Sequence, residues 1–347
     1  MTISTINEDD NQEEQKVKNN TILSINDLSV EYRTLEGTVY AVNGISLKVS
    51  KGKALGIVGE TGAGKTTTVL TVLRLLPKQG FITNGEIFFT QSNLLKLPKK
   101  KMEKIRGNQI SMIFQDPMSS LNPIFTVGDQ IAETIKIHNK ISWNEAQKKA
   151  REMLKAVEIS TDRADEFPHE FSGGMIQRVM IAIALACQPH LIIADEPTTA
   201  LDVTIQTQVL TLMKELKKKY NTSMIFITHD LSIVPELCEE VAVMYAGRIL
   251  EKGVIQEIYN NPLHPYTIGL FDCIPDFDNP EKNIRPIPGI APSPKTLSKG
   301  CSFYSRCSVR MDKCENNMPY LVSINTKHQV ACFKFIESKA NKGSKAK

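Results

Sequence analysis

Three groups of residues carry types and spacings that could do chemistry. The first is Gly59-Glu60-Thr61-Gly62-Ala63-Gly64-Lys65-Thr66, which fits the spacing G-x-x-x-x-G-K-S/T. Its glycines let the backbone curl until successive N–H groups point at an anion. A following helix, opened by Thr66 and Thr67, adds partial positive charge at its N-terminus. Lys65 is then poised for β- and γ-phosphates, and Thr66 Oγ for Mg²⁺. The second group is Leu191-Ile-Ile-Ala-Asp195-Glu196, an apolar run that ends in two carboxylates. Asp195 suits Mg²⁺, directly or through water. Glu196 suits a general base or a water-orienting role. The third is Cys301-x5-Cys307-x6-Cys314-x17-Cys332. Four thiolates suit Zn²⁺ or an iron–sulfur cluster. The lack of a Cys-x-x-Cys pair weakens the zinc reading, and four free thiols stay open as a third state.

Elements must hold these groups in place. Leu23–Tyr32 alternates apolar and polar, as do Ile45, Leu47 and Val49, which predicts antiparallel strands with one buried face. Ala54–Val58, Ile110–Phe114, Leu191–Asp195, Met224–Thr228 and Val241–Tyr245 are short apolar runs that read as buried strands. Helical patterns fall at Thr66–Leu76, Val127–His138, Trp143–Val157, Met175–Cys187 and Ile205–Tyr220. Strands alternating with helices predict an α/β fold with a largely parallel sheet, and the phosphate loop then follows a strand and opens a helix. The proline-rich stretch from Asn261 to Pro294 reads as a linker to a small, loop-rich extension. Met1 to about residue 22 reads as a disordered lead, and residues 337–347 as a basic, solvated tail.

Composition excludes several classes. The 347 residues hold 42 Lys+Arg against 38 Asp+Glu, a near balance that asks for no nucleic-acid partner. The apolar run near Val179–Cys187 is broken by Gln188-Pro189-His190, well short of the ~20 residues of a spanning helix. The acidic, amide-rich start does not read as an export signal, so the seven cysteines are expected in a reducing compartment. Cys187, Cys238 and Cys273 lie in apolar or isolated settings and read as packing residues.

Further motifs narrow the reading. Phe171-Ser172-Gly173-Gly174-Met175 lies between the two nucleotide motifs and resembles the signature of ATP-binding cassette (ABC) proteins. Ser172 is also a good helix N-cap, a reading compatible with the first. Gln115 resembles the Q-loop glutamine, Ala200-Leu201-Asp202 the D-loop, and His229 the switch histidine. Tyr32 resembles the aromatic that stacks on adenine, with Tyr40 as a rival. The resemblance covers about Leu23 to Tyr259. Beyond it, Asn261-Pro-Leu-His-Pro-Tyr266 and Gly300-Cys-Ser-Phe-Tyr-Ser-Arg-Cys307 look like the extension of oligopeptide and dipeptide importer ATPases, D-subunit type.

The resemblance implies an ABC nucleotide-binding domain at residues 23–260, with an antiparallel β subdomain and a helical subdomain at about 116–187. A Cys-rich extension follows at 261–336. It implies an ATPase that powers peptide import from the cytoplasmic face of the membrane. Its partners would be a second, different cassette, two permeases and an external peptide-binding protein. ATP and Mg²⁺ would bind at Gly59–Thr67, Gln115 and Asp195, with Glu196 and His229 acting on the γ-phosphate. Ser172, Gly173 and Gly174 would serve the partner's ATP. The family resemblance implies a 4Fe–4S cluster at the four cysteines, with Zn²⁺ as the alternative. The signature departs from Leu-Ser-Gly-Gly-Gln, since Met175 cannot supply the hydrogen bonds of an amide. Rival readings are the same machine carrying nickel, glutathione or another small solute, and a soluble, non-transport cassette protein.

Overall fold

The computed structural model describes residues 20–116, 120–199, 201–274 and 285–337. Most of the expected lead and tail, and Ala200, lie outside the described residues. β1 (Thr21–Thr34) starts at Thr21.

Two sheets form the body. β1 and β2 (Gly37–Ser50) pair antiparallel, and β4 (Gly80–Phe89) and β5 (Ser92–Asn93) complete a sheet of order β2-β1-β4-β5. The larger sheet has the order β11-β12-β10-β9-β3-β8-β7-β6. Its parallel part is β3 (Ala54–Val58), β6 (Ile110–Ile113), β7 (Leu191–Asp195), β8 (Ser223–Thr228) and β9 (Glu240–Tyr245). Strands β3, β7 and β8 are buried along their whole length, which is why they read as continuous apolar runs. Their period of two divides the core. Leu55, Ile57, Ile193 and Ile225 face α1 (Lys65–Val72) and the antiparallel sheet. Ala54, Val58, Ile192 and Phe226 face the helical layer.

The helices carry their own start signals. After α2 (Lys99–Ile105), α3 (Val127–Asn139) is capped by Thr126, and α4 (Trp143–Ala156) by a Ser142/Glu145 capping box. α5 (Gly173–Leu185) and α6 (Val203–Tyr220) flank β7, and Asp202 caps α6 by accepting from Ile205 N–H at 2.9 Å. Such caps contribute about 1 kcal/mol each. Helix α1 stops at Val72, not at Leu76. Arg74 turns left-handed at φ 53° and Leu75 N–H bonds back to Leu70 O, closing the helix early.

Short helices α7 (Val234–Leu237), α8 (Ile255–Asn260), α9 (Pro265–Asp272) and α10 (Lys313–Asn316) complete the chain. The C-terminal extension is built onto the core, in contrast to the expected appendage on a linker. β12 (His328–Val330) pairs with β10 (Arg248–Val254), and β11 (Val322–Asn325) pairs with β12. Glu251 of β10 is fully buried. It accepts from the N–H groups of Leu263 and His264 and lies 2.6 Å from His328 Nε2.

Candidate nucleotide site

The loop after β3 takes a shape that only glycine permits at two positions. Gly59 (φ 154°) passes so close to β9 that a Cβ would stand 2.0 Å from Met244 O. Gly64 (φ 101°) would bring one to 2.3 Å from Ala41 O. Among the described residues, the N–H groups of Gly62, Gly64, Lys65 and Thr66 donate to no protein atom. Four free donors at a helix N-terminus fit an anionic phosphate chain.

Lys65 is 5% exposed, and its Nζ donates to the carbonyls of Gly59 (2.7 Å) and Glu60 (3.1 Å). Burial lowers its pKa, while Glu196, Asp195 and Glu60 oppose that shift. Thr66 Oγ1 donates to Asp195 Oδ1 at 3.1 Å, so a hydroxyl and a buried carboxylate stand side by side, as a hard cation requires. Burial also raises the Asp195 pKa, a cost that a bound cation would offset.

Glu196 is the hub. It sits at φ 48°, a strained setting for a non-glycine residue, and its N–H bonds to Ile227 O at 2.9 Å. Its Oε2 accepts from Gln115 Nε2 (3.0 Å) and Thr199 Oγ1 (3.2 Å), and lies 3.3 Å from His229 Nδ1. Its Oε1 lies 3.8 Å from Lys65 Nζ. The structure therefore brings together Gly59, Glu60, Lys65, Thr66, Gln115, Asp195, Glu196 and His229. Tyr32 joins them through its hydroxyl, 3.1 Å from Thr67 Oγ1. The rival Tyr40 lines a cavity with Glu60, Thr61, Gly62 and Ala63, and its N–H donates to Pro294 O at 2.8 Å.

Ser172, Gly173 and Gly174 stand apart. Among the described residues no hydrogen bond or ion pair joins them to the phosphate loop. Ser172 occupies the N-cap position, but its side chain makes no capping bond, contrary to the N-cap expectation. A Cβ on Gly173 would meet nothing nearer than Leu201 Cδ2 at 4.0 Å, so the helix start is open at Gly173, whereas one on Gly174 would stand 2.5 Å from Ile205 Cγ2. Met175 is held inside its own subdomain, where Arg163 Nη1 lies 3.1 Å from its Sδ.

Cys301, Cys307, Cys314 and Cys332 line one cavity together with His264 and Phe303. Three of the thiols accept backbone N–H bonds two residues on: Cys301 from Phe303, Cys307 from Val309 and Cys332 from Lys334. His264 Nδ1 accepts from Tyr266 N–H, and its Nε2 is buried without a partner. Among the described residues no group of three or more His, Cys, Asp or Glu is placed to hold a single metal ion. Cys238 is buried and Cys187 half-buried, in accord with packing roles.

Sequence reasoning missed Thr199, Tyr245, Tyr266 and Arg306. Thr199 lies three residues from Glu196, and its place in Glu-Pro-Thr-Thr was the available signal. Arg306 meets Glu60 across 246 positions, and no local pattern announces it.

The model of the ABC transporter family matches residues 42–199, and that of the oligopeptide/dipeptide transporter C-terminal region matches 250–314. A probable peptide ABC transporter ATP-binding protein of Sinorhizobium fredii is 48% identical, over 91% of this chain and 96% of its own. The oligopeptide transport ATP-binding protein OppD of Salmonella typhimurium is 46% identical, over 92% and 95%.

This chain belongs to the ABC transporter family.

Within that family it falls among the oligopeptide/dipeptide transporter ATP-binding proteins, and it is an ATPase that uses ATP and Mg²⁺. The cassette MJ0796, solved as a dimer in a post-hydrolysis state with ADP and Pi, has a TM-score of 0.61 at 27% identity. That match covers 67% of this chain and 98% of the other. Among the described residues no helix is long and apolar enough to cross a membrane.

Proposed function

We infer that this chain is the ATP-hydrolysing subunit of an ABC importer of peptides, working from the cytoplasmic face of the membrane. The observation that carries the cargo is the tandem of matches. A cassette model is followed by an extension model described for oligopeptide/dipeptide transporters, and relatives named for oligopeptides and dipeptides span nearly the whole chain. No comparable observation favours nickel, glutathione or a soluble cassette protein.

Bound Mg·ATP supplies a γ-phosphoryl group that water accepts, giving ADP, inorganic phosphate and a proton. The loop N–H groups and Lys65 hold the phosphates. Thr66 and Asp195 hold the cation, with Gln115 beside them. Glu196 orients the attacking water and takes its proton, and Gln115, Thr199 and His229 fix its carboxylate. His229, half-exposed, is free to turn from Glu196 to the γ-phosphate as charge develops there. Tyr32 stacks on the base. The helix start at Ser172–Gly174 completes the ATP site of a second, different cassette, a reading supported by its separation from Lys65. Closure over two nucleotides drives two permeases, which receive peptide from an external binding protein.

A 4Fe–4S cluster, or Zn²⁺ in its place, would be held by Cys301, Cys307, Cys314 and Cys332, which line one cavity. A cluster spreads four thiolates more widely and accepts N–H donors at its sulfurs, which suits the unpaired His264 Nε2.

The test is uptake of labelled dipeptides and oligopeptides in cells lacking this chain, then restored with it. Uptake lost and recovered, with nickel and glutathione uptake unchanged, is the expected result. Peptide uptake indifferent to the chain would overturn the cargo.

A further inference from the structure

The phosphate loop is held from outside as well as from within. Arg306 Nη1 lies 3.0 and 2.9 Å from the two carboxylate oxygens of Glu60, the second residue of the loop. The guanidinium is itself fixed. Nε donates to Pro288 O at 2.8 Å, Nη2 to Ile287 O at 3.3 Å, and Nη1 to the Tyr245 hydroxyl at 3.3 Å. The Arg306 side chain is 7% exposed and that of Glu60 31%, so the pair is partly shielded from water. The Glu60 N–H donates to the Tyr266 hydroxyl at 3.0 Å, and the Tyr266 ring packs against Tyr245 and Phe303. Every one of these contacts except Tyr245 comes from the chain beyond β10.

A carboxylate in a loop that must receive a triphosphate is a liability. Like charges a few ångströms apart, partly shielded from water, oppose each other by amounts that matter for affinity. Glu60 is close enough to act on the phosphate-binding lysine, because its carbonyl holds Lys65 Nζ and its charge favours the ammonium form. Arg306 neutralises that carboxylate and ties it to the C-terminal extension. It also stands next to Cys307, at the end of the turn Tyr304–Arg306 that starts beside Cys301.

We propose that Arg306 is a positioning residue for ATP binding: it cancels the Glu60 charge and holds that side chain away from the phosphates, so the C-terminal extension sets the loop's nucleotide affinity. The proposal rests on reading Gly59–Thr67 as the ATP site. It has a signature that a merely structural role lacks, since Arg306 should matter only while Glu60 is present.

The experiment measures the Kd of a fluorescent ATP analogue on the purified full chain. Arg306→Ala is expected to weaken binding about tenfold, the effect of one charge-assisted contact. Adding Glu60→Ala to Arg306→Ala should recover most of the lost affinity, because the charge that Arg306 cancels is then gone. In the assembled transporter, Arg306→Ala should raise KM for ATP and leave kcat nearly unchanged. Native affinity in Arg306→Ala, or a double variant as weak as the single one, overturns the proposal. If Arg306→Ala loses its fold by circular dichroism, Arg306→Gln takes its place, keeping an amide donor for the Ile287 and Pro288 carbonyls without the charge. Lys65→Ala separates the two readings. Its binding like the native chain would sink the ATP-site assignment itself. Its loss of binding beside an unaffected Arg306→Ala would sink the present inference alone.

Discussion

The phosphate site and the thiol cavity differ in how their polar groups are satisfied. At the phosphate site nearly every charge already has a protein partner. Lys65 is held by two loop carbonyls, Asp195 by Thr66, and Glu196 by Gln115 and Thr199. Backbone constraints at Gly59 and Gly64 hold the loop in shape before any nucleotide arrives. In the thiol cavity the compensation is partial. Burial pushes the Cys301 thiol up to about 11 and raises Cys307 and Cys332, backbone N–H groups oppose that shift only in part, and the His264 Nε2 beside them has no partner. The first site should be folded without its ligand. The second should need its occupant to be stable.

The sharpest break would come from Lys65→Ala. ATP binding should fall by roughly 10- to 100-fold, the worth of charge-assisted bonds to phosphate, while the melting temperature of the nucleotide-free chain stays within a few degrees. A collapse of the fold would show that the loop is not preformed. Next in size is Cys314→Ser in anaerobically purified protein. Iron and sulfide should drop out together and the melting temperature should fall by about 5 °C. A metal-free native chain of full stability would put both sites in one class.

A smaller effect sharpens the first half of the comparison. Gly173→Ala has room for its Cβ and should leave nucleotide binding by the isolated chain unchanged. Turnover of the assembled complex should drop several-fold under the proposal that this helix start completes a partner's site. Weaker binding in the isolated chain would contradict that division of labour. The smallest effect uses Cys187 as a reference thiol. Burial pushes it up to about 11, so its alkylation should be slow at pH 7 and rise about tenfold per pH unit towards 11. A chelator should leave that rate alone and expose the four clustered thiols to reagent.

The two regions also differ in how much the sequence discloses. The phosphate loop, Asp195-Glu196 and strands β3, β7 and β8 are local patterns, since curling glycines and doubly buried strands impose their own composition. Gln115 and His229 are single residues at strand ends, and the family resemblance alone marks them. Strand β4 escapes notice because Asn84-Gly85 interrupts its alternation, with Gly85 at φ 105°. The pairing of β12 with β10 and the Arg306–Glu60 contact join residues far apart in the chain, and short-range periodicity carries no trace of them. The cysteines are visible as a set, but the cavity they share with His264 is not.

The central claim is that Glu196, fixed by its neighbours at the exit of β7, drives ATP turnover for transport. Its most direct test is Glu196→Gln in the assembled transporter, measuring ATP binding, turnover and peptide uptake together. The account predicts ATP bound as tightly as in the native complex, turnover by this site reduced at least about 100-fold, and uptake lost at normal protein level. Near-native turnover by this site would contradict it.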